Sequence, residues 1–143
     1  ERLATFADTL CRTLAGAGAA LHAWCALPNH YHALIGTEDL KWVLAQIGRM
    51  HGRTSFEWNG EDTMRGRKCW HCCTDRRIRS DSHFFAARNY IHHNPVKHGY
   101  VSERGGWPFP SAKEFLDAVG PREAAAFWKM YPVLDMGEGW DRD

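Results

Sequence analysis

Residues 21–35 read LHAWCALPNHYHALI. Two mostly apolar runs, 21–27 and 30–35, flank Pro28-Asn29, and that punctuation predicts two antiparallel strands meeting at a tight connection. Side chains two apart on a strand share a face, so His30 and His32 can aim two imidazoles at one ion. A pair of core or surface histidines is the plain alternative, since the chain holds nine.

Leu3, Phe6, Leu10 and Leu14 make a helical stripe over 3–16, ended by Gly16 and Gly18. Leu40, Val43, Leu44, Ile47 and Met50 predict a second helix from Glu38 to about His51. Residues 52–68, polar and rich in Gly and Arg, read as a loop, and Trp70 to Ile78 as a third strand. Asp81 to Asn94 reads as a helix with Asp81 or Ser82 as N-cap, limited by Pro95. Beyond Gly105 a Pro- and Gly-rich arm holds a short helix near 111–119 and a second helical turn near 122–130. No repeat or low-complexity tract interrupts this alternation, and the fold class is α+β.

At 143 residues, with 44% hydrophobic and 24% charged side chains, the chain suits one globular core. No apolar run reaches the ~18–20 residues that span a bilayer, and the polar start lacks the form of a signal peptide. The first residue is Glu, so a piece of a longer chain is expected. Net charge is only +1, but it is unevenly spread. Residues 49–104 carry 11 Lys/Arg against 6 Asp/Glu, and six of the nine histidines. Such a block suits a phosphate backbone, though it also suits a solvated surface. Five cysteines, with Cys72 and Cys73 adjacent, point to reduced thiols rather than a disulfide framework.

The second motif is Tyr90-Ile91-His92-His93-Asn94-Pro95-Val96. Tyr90 and Asn94 are four apart and share a helical face. A helical tyrosine is most often a core residue. Two histidines, an amide and Lys97 beside one phenol are nevertheless poor core material and good phosphate surroundings.

PNHYH at 28–32 and YIHHNPVKHGYV at 90–101 together resemble the HUH-type single-tyrosine transposases, in the REP-associated branch of the IS200-like superfamily. The segments 75–79, Trp107–Ser111 and YPVLDMGEGW at 131–140 resemble family segments too, so the likeness runs from about residue 20 to 140. It implies a ferredoxin-like antiparallel sheet with helices on one face. The family strand before the first helix lies ahead of residue 1, so a sheet lacking its first strand, with a bare edge, is expected. It implies an HUH catalytic domain over 1–104 and an irregular helical arm over 105–143. Tyr31 between the histidines departs from the family's hydrophobic residue.

By this resemblance His30, His32 and Asn94 are metal ligands for Mg²⁺ or Mn²⁺, and Tyr90 is the nucleophile. The reaction implied is nicking of single-stranded DNA through a 5′-phosphotyrosine, then strand transfer to a second 3′-OH. A free phenol titrates near ~10, so the ion or Lys97 must favour phenolate. Arg65, Arg67, Lys68, Arg76, Arg77, Arg79 and Lys97 are the expected DNA contacts; Trp58 or Trp70 could stack on bases, Trp70 rather as core. The expected partner is single-stranded or REP-like hairpin DNA. The expected setting is the bacterial cytoplasm at the nucleoid, as monomer or homodimer, with no membrane. His92, His93 and His83 stay open as further metal contacts. Rival readings are a replication initiator or relaxase, an inactive or domesticated hairpin-binding copy, and a zinc module on Cys69, His71, Cys72 and His30.

Overall fold

A computed structural model describes residues 1–71, 73–109, 111–133 and 136–137. The element order is α1 (Arg2–Gly16), β1 (Ala20–Ala26), β2 (Tyr31–Gly36), α2 (Leu40–Glu61), α3 (Asp81–Lys97), a 3-10 turn at Arg104–Gly106, α4 (Ser111–Val119) and α5 (Pro121–Met130). The class is α+β, as the sequence reading expects, with one two-stranded antiparallel sheet among the described residues. No helix among them is long and apolar enough to cross a membrane. The chain divides into two compact units, 1–21 with 36–77 and 22–35 with 78–143, the second including the described part of 105–143.

In the first unit α1 packs on α2, burying Phe6, Leu10 and Leu14 from one and Val43, Ile47 and Met50 from the other. The helix expected to stop near His51 runs on to Glu61 and takes in most of the expected loop. Buried Thr54 and Asn59 explain the extension. Thr54 Oγ1 donates to the Met50 carbonyl, and Asn59 Nδ2 donates to the Arg67 carbonyl at 2.7 Å, tying the following loop to the helix. The third strand expected over 70–78 does not form among the described residues. Trp70 instead turns in, stacking on His51 at 4.2 Å, meeting Phe6 at 5.1 Å and donating to Thr54 Oγ1. The Asp75-Arg76-Arg77 stretch after it stays solvent-exposed.

In the second unit β1, β2 and Leu27 of their connection place Ala23, Cys25, Leu27 and Leu34 against Ala87, Tyr90 and Ile91 of α3. Ser80, rather than Asp81 or Ser82, caps α3 by accepting from His83 N. Pro95 does not end the helix. The last turn closes beyond it, because Gly99 (φ 70°) lets its own N–H reach Val96 O and the Tyr100 N–H reach Pro95 O, satisfying the carbonyls that would otherwise be orphaned.

The free edge of β1 is not bare. Trp107, Phe109 and Ser111 cover it: Ala26 N donates to Phe109 O, Trp107 Nε1 to Ala26 O at 2.8 Å, and Trp24 N to Ser111 Oγ at 3.0 Å. These residues supply pairing that an adjacent strand would otherwise give.

Ser111 also ends a buried polar chain. Trp128 Nε1 donates to His92 Nδ1 at 3.2 Å, which leaves His92 Nε2 to donate to Ser111 Oγ at 3.2 Å, while that hydroxyl reaches the Trp24 carbonyl. The histidine left open as a metal contact is thus a structural group, 1% exposed. Burial above all, with Arg88 and Arg104 nearby, lowers its pKa to about 3.

An unfolded histidine titrates near ~6.5, so between the two values the unfolded chain binds the extra proton. Stability should therefore hold above about pH 6.5 and fall on acidification, by up to about 1.4 kcal/mol per pH unit from this residue. Urea unfolding from pH 7 to 4.5 checks this, and His92→Gln should flatten the slope by about one proton.

Candidate active site

The site is built on α3 and the β1–β2 hairpin. Tyr90, Asn94, Lys97 and His98 recur at helical spacing on one side of α3, while His30 and His32 share one side of the hairpin arm. The structure brings these groups together. His32 meets the Tyr90 ring edge-on at 5.2 Å and the His30 ring at 5.2 Å. His30 Nε2 lies 3.1 Å from Asn94 Oδ1, and its Nδ1 lies 2.8 Å from Asn29 Oδ1. The Lys97 ammonium donates to the Tyr90 hydroxyl at 3.3 Å.

His98 is the member that the sequence reading missed. Its ring meets His30 at 4.9 Å, edge to face. The signal was present, since His98 follows Asn94 by four and Tyr90 by eight, but an α3 stopped at Pro95 leaves it off the helix.

His30, His32 and Asn94 form a set of neutral donors that suits a divalent ion also coordinated by phosphate oxygens. The 3.1 Å between His30 Nε2 and Asn94 Oδ1 is close to the ~3.0 Å between adjacent ligands of an octahedral ion with ~2.1 Å bonds. Asn94 Nδ2 is buried and has no hydrogen-bond partner among the described residues, a cost that leaves its oxygen turned to the imidazole. The donors therefore fit such an ion, although no group of three or more His, Cys, Asp or Glu side chains disposed to hold a metal exists among the described residues.

Cys72 of the zinc alternative lies outside the described residues. His83 Nδ1 accepts from Arg79 N, and His93 is half-buried with its pKa lowered by burial, then by Arg104 and Lys97.

The expected DNA contacts separate into groups. Arg76, Arg77, Arg79 and Lys68 are exposed. Arg67 holds Asp62 at 2.7 Å, and that carboxylate, bonded first by Arg2 and then by Arg67, has its pKa lowered to about 2. Arg65 lies over the Phe56 ring at 4.3 Å.

Tyr90 is only 1% exposed. Val133 and Met136 pack on its cluster, and Gly137 backs directly onto its ring, where a Cβ would collide with Cε2 and Cζ.

No protein-family model matches the chain. A Haemophilus influenzae protein named as a REP-associated tyrosine transposase is 28% identical, over 62% of this chain and 56% of that protein. A solved REP-associated tyrosine transposase bound to a REP hairpin superposes with a TM-score of 0.56 at 21% identity, covering 96% of this chain and 72% of that one. The chain resembles the REP-associated tyrosine transposases. It spans little more than half the length of the curated relative, and it shares the fold of the solved one.

Gly137→Val should collide with the Tyr90 ring and strain a backbone at φ 85°, costing about 1–3 kcal/mol in urea unfolding. In a double-mutant cycle, Tyr90→Ala should relieve part of that cost; additive effects would mean that the glycine does not sit on the ring.

Proposed function

We propose that this chain is a REP-associated tyrosine transposase that nicks and rejoins single-stranded DNA beside a hairpin, through a phosphotyrosine at Tyr90. The observation that carries the reading is the convergence of the Tyr90 hydroxyl, the Lys97 ammonium, the imidazoles of His30 and His32 and the Asn94 carboxamide. A relative named for this activity and a neighbour titled as bound to a REP hairpin support it.

His30, His32 and Asn94 would hold a divalent cation, Mg²⁺ or Mn²⁺. When bound it supplies Lewis-acid polarisation of the scissile phosphate and neutralises its charge. Tyr90 forms the new O–P bond with the 5′ side of the break, the P–O3′ bond breaks, and the departing 3′ oxygen takes up a proton. Lys97 stabilises the negative charge on the phenol oxygen as its proton leaves. Asn29 Oδ1 meets Nδ1 of His30, which fixes the orientation of the imidazole and leaves Nε2 to the ion. The phosphotyrosine retains the energy of the broken bond, so a second 3′-OH can attack it, release Tyr90 and join a new strand. Water is a competitor in that second step, which makes the cover by Val133, Met136 and Gly137 chemically useful once substrate is seated.

The test is incubation with a 3′-labelled DNA hairpin carrying a single-stranded flank and Mn²⁺, followed by a denaturing gel. The reading expects a protein–DNA adduct that is lost with chelator, with Tyr90→Phe and with His32→Ala. Lys97→Ala should slow its formation on the order of 10²-fold. Hairpin binding on a native gel without any adduct would point to a binding-only copy.

A further inference from the structure

The outer face of α2 carries a pattern that the candidate active site does not use. At 100° per residue, Trp42, Arg49, Arg53, Phe56 and Gly60 fall in one file along the helix. Trp42 is 47% exposed and Phe56 68% exposed, although their size would ordinarily put them inside. Each has an arginine over it: Arg49 lies 5.8 Å from the Trp42 ring centre and Arg65 lies 4.3 Å from that of Phe56. Arg65 reaches this position from the loop after α2, donating to the Phe56 carbonyl at 2.8 Å. It lies across Gly60, where a Cβ would come within 2.6 Å of Nη2, so the glycine keeps the file open. Glu57, on the flank, approaches Arg53 only to 4.0 Å.

We infer that this stripe is a binding track for an unpaired DNA strand. Two exposed rings about 21 Å apart along the axis offer platforms for bases. Arg49, Arg53 and Arg65 supply positive charge at matching height for phosphates. Bases within a duplex keep their faces against one another, so platforms of this kind select unpaired nucleotides. An apolar protein partner is poorly served, because the arginines would have to be desolvated without carboxylates to meet them. The inference deepens the transposase reading by giving the single-stranded part of the substrate a second place to bind.

Fluorescence anisotropy with a labelled oligothymidine of about 12 nucleotides, in chelator so that cleavage is silent, tests it. Arg49→Glu with Arg53→Glu should weaken binding more than tenfold, and the slope of log affinity against log salt should fall by about 1.4, at ~0.7 per lost phosphate contact. Trp42→Ala with Phe56→Ala should weaken binding about five- to hundredfold at unchanged salt slope. Arg49→Lys with Arg53→Lys should restore the slope, which a folding defect would not allow. Unchanged binding in the Glu and Ala pairs, or an equal loss for a duplex of the same length, overturns the track. Adduct formation at Tyr90 with an inert stripe would remove this inference alone; oligothymidine binding through the stripe without any adduct would remove the nuclease reading alone.

Discussion

A helix presents a phenol and a carboxamide to a pair of strands only if its rotation about its own axis is fixed, and here that rotation is fixed by buried polar bonds. His92, between Tyr90 and Asn94, is tied through Ser111 to the β1 backbone at Trp24 and through its other nitrogen to Trp128 of α5. Asn89, wholly buried, donates to the Phe127 and Tyr131 carbonyls at the end of α5. A slip of one residue would turn α3 by about 100° and break each of these bonds, leaving buried donors unmatched at a cost of roughly 1–3 kcal/mol apiece. The apolar contacts of Ala87 and Ile91 alone would tolerate such a slip far better.

Charge around α3 is handled with similar economy. The Arg88 guanidinium sits over Phe115 at 4.4 Å and Phe127 at 4.6 Å, with Nε and Nη2 buried and unbonded among the described residues. Ring faces partly replace the lost water, and burial lowers its pKa. Burial first, and then this positive group and Arg104, keep His92 neutral, which preserves the tautomer that the chain to β1 requires. Lys97, at the end of α3, stays largely in solvent yet reaches the phenol. It is therefore available to a phosphate once the strand arrives.

Much of this was legible in the sequence because it depends on short-range spacing. The hairpin read over 21–35 and the shared face of Tyr90 and Asn94 follow from periods of two and 3.6, and both emerged to within a residue or so at the strand ends. The misses came from tertiary partners that no local pattern reveals. Pro95 reads as a stop, and only the Gly99 turn makes it a tolerated interior residue. Residues 70–78 read as a strand from their apolar content, but Trp70 found Thr54 and His51 instead of a sheet neighbour. The cover of the β1 edge by Trp107, Phe109 and Ser111 depends on a Trp–carbonyl bond across about eighty residues, far beyond any window of periodicity. His98 was missed for the same reason as the end of α3.

The central claim is that the phenol at 90 faces the imidazole pair and carries the chemistry. Its most direct test is to trap the protein on single-stranded DNA, digest both, and map the modified tryptic peptide by mass spectrometry. The chain has four tyrosines, and cleavage after Arg88 and Lys97 isolates Tyr90 from the rest. The account expects the phosphonucleotide mass on Asn89–Lys97. Its appearance on the peptide holding Tyr31, Tyr100 or Tyr131 would contradict it.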